Sequence, residues 1–176
     1  MKLIKLLSHY NAGYSTSNST LATGVFANLG TNGSPQALDL DLGTNNSATV
    51  VGVTYRTNTG DCYFQHADSS LVATTAIKLT ANTCYNPSVH YNSATGRFVV
   101  TYAELNSSNN YDIKFREITI GSSDTASTAT VVVAGLTTYP IRLATDFYSG
   151  GSWMALFYRL FSSSDLVFHG YHVSGR

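Results

Sequence analysis

Four short segments of the chain read as variants of one strand, and each ends in tyrosine: Leu6-Leu7-Ser8-His9-Tyr10, Val51-Gly52-Val53-Thr54-Tyr55, Phe98-Val99-Val100-Thr101-Tyr102 and Met154-Ala155-Leu156-Phe157-Tyr158. Tyr10, Tyr55, Tyr102 and Tyr158 are spaced 45, 47 and 56 residues apart, a period typical of repeated supersecondary units. All three prolines keep a similar beat. Pro35, Pro87 and Pro140 are 52 and 53 residues apart, and each opens an apolar stretch leading to the tyrosine segment. Proline has no N–H to give to a ladder, so the first residue of a strand is a position where it is tolerated.

Reading on from each proline predicts a first strand (residues 37–42, 88–91 and 141–147) and a second strand ending at the tyrosine. A third follows (62–66, 112–120 and 166–173, with 21–29 in the first copy), then a fourth (75–80 and 130–134). The connections are turn-formers: Asn45-Asn46-Ser47, Ser93-Ala94-Thr95-Gly96 and Ser149-Gly150-Gly151-Ser152 after the first strands, and Thr57-Asn58-Thr59-Gly60, residues 106–110 and Ser162-Ser163-Ser164 after the second. Four antiparallel strands repeated at this period predict the blade of a β-propeller. The expected fold is therefore all-β: tandem four-stranded antiparallel blades, a β-propeller or part of one, with about three to four blades. It forms a single domain over residues 1–176, with units at approximately 1–34 (partial), 35–86, 87–139 and 140–176 (partial). The second strands are apolar almost without alternation, as in Trp153-Met154-Ala155-Leu156-Phe157-Tyr158, which predicts burial on both faces between neighbouring blades.

The first copy begins at its second strand, and the last stops after its third. Only nine positions separate Phe26 from Pro35, against 23 from Phe64 to Pro87, so the first unit is expected to lack a fourth strand. Blades cut in this way leave open edges. The expected partners are therefore other subunits or a second copy of the chain, unless a longer polypeptide completes the array.

Composition excludes other classes. Charged residues make up 11% of the chain, ten basic against ten acidic, so nothing attracts a nucleic-acid backbone or an anionic membrane. No stretch approaches the ~20 apolar residues of a membrane span. The start, Met1-Lys2-Leu3-Ile4-Lys5-Leu6-Leu7, is interrupted by Lys5 and followed by His9-Tyr10-Asn11, unlike the apolar core of a signal peptide. Twelve Tyr and eight Phe give the chain enough apolar surface to fold despite its Ser, Thr and Asn content.

The segment Asn86-Pro87-Ser88-Val89-His90-Tyr91-Asn92-Ser93-Ala94-Thr95-Gly96-Arg97-Phe98-Val99-Val100-Thr101-Tyr102 resembles the repeat of a broad group of β-propeller proteins. These occur in bacteriophage tail fibres and other phage structural proteins, and in secreted bacterial surface proteins. The resemblance covers about Pro35 to the C-terminus in three copies and the first thirty residues more weakly. It lies in fold residues, so it implies an architecture and carries over no catalytic residue. The chain has no WD dipeptide, no kelch glycine pair and no calcium loop of alternating Asp and Gly. Its nearest approach to the Asp-box of sialidase propellers, Arg56-Thr57-Asn58-Thr59-Gly60-Asp61-Cys62-Tyr63, lacks that motif's serine, aspartate and tryptophan.

Candidate sites are few. Cys62 opens a third strand and Cys84 follows the fourth strand that pairs with it, so the two face each other across a hairpin end, as a disulfide or as free thiols. A bridge implies an extracellular or virion setting. Asp39 and Asp41 alternate along one strand and share a face near the expected central channel, where they would hold a cation or a substrate hydroxyl, or stand exposed with nothing bound. His66, His90, His169 and His172 show no zinc spacing and read as surface or turn residues, so no metal and no cofactor is expected. Carboxylates for glycoside hydrolysis would have to come from Asp61, Glu104, Asp112, Glu117 or Asp146, which nothing in the sequence pairs. Asn18, Asn32, Asn45 and Asn106 fit the N-glycosylation pattern, as chance allows in so polar a chain. Tyr14, Tyr85, Tyr139 and Tyr148 near loops would either stack on sugar rings or pack between blades.

These readings lead to an expected function as a non-enzymatic structural or adhesive module of a virion appendage or cell surface, whose loops bind a glycan or a neighbouring subunit. The alternatives are a fragment of a carbohydrate-active propeller enzyme, glycosidase or lyase, and a free-standing lectin.

Overall fold

A computed structural model describes residues 37–68, 72–148, 151–162 and 165–173. The expected first unit, with Pro35, lies outside the described residues, which hold twelve strands and no helix.

The strands are β1 (Ala37–Asn45), β2 (Ala48–Arg56), β3 (Cys62–Ala67), β4 (Ile77–Lys78), β5 (Cys84–Asn92), β6 (Arg97–Leu105), β7 (Tyr111–Thr119), β8 (Thr125–Ala126), β9 (Thr130–Leu136), β10 (Pro140–Tyr148), β11 (Trp153–Leu160) and β12 (Leu166–His172). They form three antiparallel sheets: β1-β2-β3-β4, then β5-β6-β7-β8 with β9 also on β7, then β10-β11-β12. Each sheet is a meander, because each polar turn reverses the chain beside the strand just made. Asn46 and Ser47, with φ of 48° and 67°, join β1 to β2 in a two-residue turn. Gly96, at φ 67°, closes the four-residue turn from β5 to β6. Positive φ favours Asn and Gly.

The sheets stack face to face, and their first strands lie side by side, β1 against β5 and β5 against β10. Alternation along β6 sends side chains to opposite faces. Phe98, Val100 and Tyr102 pack with Val50, Cys62 and Phe64 of the first sheet. Val99 packs with Met154 of the third, and Ile113 of β7 with Leu156 and Tyr158. Full burial of such a side chain contributes about 1.5–3 kcal/mol. The first two sheets approach so closely that a Cβ on Gly43 or Gly52 would enter the rings of Tyr91 and Phe98.

Several expectations need correction. Pro140 opens β10, but Pro87 is the fourth residue of β5, at a register shift between Tyr85 and Ser88. A bulge on the first strand of a sheet needs no ladder N–H there, so the proline is accommodated. Residues 75–80 give only the two-residue β4, because Leu79 turns into the core and Thr80 toward Glu104. In the second sheet the fourth position is shared, with β8 on one end of β7 and β9 on the other. The apolar run from Trp153 to Tyr158 is not buried on both faces: β2 and β6 are, but β11 alternates. Met154, Leu156 and Tyr158 pack on the second sheet, whereas Trp153 and Phe157 are exposed.

Candidate functional site

Side by side, β1, β5 and β10 leave a groove of about 820 Å³ lined by residues 38–41, 86–90 and 141–145. Both aspartates of β1 belong to it, and both are engaged. Asp39 accepts the N–H of Leu40 on Oδ1, and the Ser88 hydroxyl (2.8 Å) and the Val89 N–H (3.0 Å) on Oδ2. Asp41 accepts the N–H of Leu42 on Oδ1 and that of Tyr91 on Oδ2 at 2.7 Å. The carboxylates thus serve as acceptors for N–H groups on the facing edge of the next sheet. His90 continues the line: its Nδ1 is 3.2 Å from Asp41 Oδ2 and its Nε2 3.1 Å from Asp146 Oδ1. Asp41, His90 and Asp146 hold the same register position in their sheets, opposite Gly52, Val99 and Ala155.

A second constellation lies at one rim. The Arg56 guanidinium sits 4.9 Å from the ring centre of Tyr85. Tyr85 stacks on Tyr139 at 5.1 Å, and Tyr139 on Phe161 at 5.4 Å. Tyr111 meets Tyr85 and Tyr139 edge-on; burial first, then these two neighbours, push its phenol above the usual tyrosine range. Three sheets contribute to this column: Arg56 from the first, Tyr85 and Tyr111 from the second, and Tyr139 and Phe161 flanking strands of the third. The column ends at Phe161, which is 66% exposed. Beside it, Thr138 and Ser162 share a hydroxyl hydrogen bond of 2.9 Å. Tyr148 is elsewhere, at the far end of β10 and opposite Trp153. Tyr14 lies outside the described residues.

Cys62 and Cys84 are joined by a disulfide with Cα atoms 5.7 Å apart. Because β5 begins at Cys84, the bridge ties the first sheet to the second instead of closing a hairpin end. Glu104 forms another tie. It accepts hydrogen bonds from Lys114 (2.8 Å), Thr80 (2.6 Å) and Asn82 (2.8 Å). Burial opposes its charge, but these three donors outweigh burial and hold its carboxyl below the usual glutamate range.

The other acidic residues are equally occupied: Asp61 by Lys78, Glu117 by Arg97, and Asp112 by Asn106 and the N–H of Gly135. Glu104 and Asp112 are opposite each other in the ladder, yet each turns to its own donors. His66 is buried, not a surface histidine. Its Nδ1 meets Asp124 at 2.6 Å and Thr74 Oγ1 at 3.3 Å. A catalytic triad places nucleophile and carboxylate on opposite ring nitrogens. Here both share Nδ1, so the group fastens β3 to the loop before β8. Among the described residues no three His, Cys, Asp or Glu side chains are placed to hold a metal ion, and no helix is long and apolar enough to cross a membrane.

Sequence reasoning named Tyr85 and Tyr139 but not Tyr111, Arg56 or Phe161. Arg56 and Phe161 carry a signal in their position just after a tyrosine segment, whereas Tyr111 opens the following strand. Compared with known protein families and with curated proteins, the chain matches none.

Proposed function

We propose that the chain is a non-enzymatic structural or adhesive module, a section of a β-propeller, that binds a glycan at the open end of its aromatic column. Face-to-face meanders with their first strands side by side support the propeller reading. The observation that carries the binding reading is Phe161. Its ring stacks on Tyr139 and is 66% exposed, and the next residue, Ser162, shares a hydroxyl hydrogen bond with Thr138. An apolar ring face next to exposed hydroxyls matches a sugar, which has a C–H face and polar edges. Inner rings of the column spend their faces on one another, so the tyrosines position Phe161 and offer only edges. The disulfide supports an extracellular or virion setting.

An enzymatic reading finds less support. Asp39 and Asp41 accept N–H groups on both oxygens and serve to join sheets. Replacing Asp39 by Asn is therefore expected to weaken folding, whereas a catalytic aspartate would lose turnover with folding intact. The deciding experiment is an array of immobilised mono- and oligosaccharides probed with the wild type and Phe161→Ala. Retention by the wild type, weakened roughly 2- to 10-fold in the variant, is expected from one lost stacking contact. No retained sugar, or equal retention by the variant, refutes the assignment.

A further inference from the structure

The third sheet exposes a face that the other two sheets bury. In β2, Val50, Gly52 and Thr54 face the second sheet; in β6, Val99 and Thr101 face the third. Register places Trp153, Ala155 and Phe157 at these positions in β11, since Gly43, Asp41 and Asp39 across from the first set correspond to Tyr148, Asp146 and Ala144 across from the last. One strand further out, Phe64 pairs with Thr54, Phe115 with Thr101 and Phe168 with Phe157. Phe64 is 0% and Phe115 5% exposed, but Phe168 is 59% exposed, with Trp153 at 45% and Phe157 at 38%.

Asp146 repeats the pattern in polar form. Asp41 uses Oδ1 for the following N–H and Oδ2 for the N–H of Tyr91 on the next sheet's first strand. Asp146 uses Oδ1 for the N–H of Phe147 and for His90, and its Oδ2 has no partner among the described residues.

We propose that this face docks a second copy of the chain, head to tail, through that copy's N-terminal repeat, residues 1–34. Within the chain the covering surface is always built alike: Phe98, Val100 and Tyr102 on the first sheet, Met154, Leu156 and Tyr158 on the second. In the sequence, Leu6, Ser8 and Tyr10 stand at these positions of the first repeat. That repeat precedes β1 in the chain, and β1 belongs to the first sheet, which the second sheet separates from the third. A second copy brings it to the face free of that tether. Such a contact is heterologous and propagates into a ring or a chain of copies. It rests on the stacking of the sheets and not on the glycan reading, so a failed sugar array leaves it standing.

The test is light scattering on the full chain at micromolar concentration. The wild type is expected at twice or more the 18.9 kDa of one chain, and Phe168→Glu at one chain mass with a single cooperative melt, since Phe168 is a surface residue. Labelled Phe168→Glu added to the wild type is expected to enter its assemblies, because the variant keeps its N-terminal repeat. A wild-type monomer, or assembly unaffected by Phe168→Glu, overturns the proposal. Exclusion of the labelled variant from wild-type assemblies overturns it too, because third sheets then pack on third sheets.

Discussion

Gly52 tests whether the close stacking of the first two sheets governs stability. It lies mid-sheet, between Asp41 of β1 and His66 of β3. A Cβ there would be 2.6, 2.8 and 2.9 Å from three carbons of the Phe98 ring. Phe98 is fully buried and held by Phe64 at 5.5 Å and Tyr91 at 5.1 Å, so it has no room to swing away. Relief of backbone entropy by Gly→Ala is worth about 0.5–1 kcal/mol, and overpacking a filled core costs about 1–3 kcal/mol. The net expectation for Gly52→Ala is a loss of about 1–2 kcal/mol, or roughly 2–8 °C in Tm for a chain of this size. Gly170, in β12, supplies the control. Its Cβ would meet only a Phe168 ring carbon at 3.9 Å, so Gly170→Ala is expected to stabilise by about 0.5 kcal/mol or more. Neither glycine has a left-handed φ that alanine avoids. Urea unfolding followed by circular dichroism measures both. Combining Gly52→Ala with Phe98→Leu should cost less than the sum of the two, because the smaller side chain frees the space. Changes of the same sign at both glycines, or a Gly52→Ala protein as stable as the wild type, would refute the reasoning.

Two further outcomes follow from the ties between sheets. Glu104→Gln is expected to cost about 2 kcal/mol at neutral pH by weakening charge-assisted hydrogen bonds. Its folded carboxyl titrates below the ordinary value, so the contribution is complete above the unfolded pKa of about 4.3 and disappears as the pH falls through the lower folded pKa. Urea unfolding at stepped pH should show wild type and variant converging in acid; a constant gap would sink the charge argument. Reducing the Cys62–Cys84 bridge, which spans a sequence separation of 22, should cost about 3 kcal/mol from the freed loop. Unfolding curves with and without reductant that superimpose would contradict it.

Much of the strand pattern was legible because turn chemistry and apolar runs are local. Asn46-Ser47 and Gly96 mark reversals through their own backbone preferences, and the tyrosine segments fall inside β2, β6 and β11. The fourth strand expected at 130–134 is present as β9, but that at 75–80 shrinks to two residues, since Leu79 and Thr80 are drawn to the core and to Glu104. Trp153 to Tyr158 misled for another reason. Unbroken apolarity shows that a strand has two surfaces fit for burial, and not that a neighbour covers both. Cys84 lies on the far side of the expected boundary, because the strand that Pro87 is expected from the sequence to open begins three residues earlier, at Cys84 itself.

The polar site was harder to read, although its spacing carries the repeat. Asp39 meets Ser88 and Val89 at separations of 49 and 50 residues, Asp41 meets Tyr91 at 50, and Asn92 meets Gly151 at 59. All lie near the proline and tyrosine periods, because side-by-side first strands bring corresponding positions of successive units together. The period therefore predicts which regions meet, but the stagger between strands decides whether Asp41 reaches a side chain or a main-chain N–H, and no local preference encodes stagger. It follows that residues at matching register positions that differ between sheets are the informative ones. Where the first sheet has Val50 and Thr54 beneath its neighbour, the third has Trp153 and Phe157. Large aromatics at positions where the first sheet has smaller residues are costly to leave in water, and contact with a partner on that face would relieve the cost.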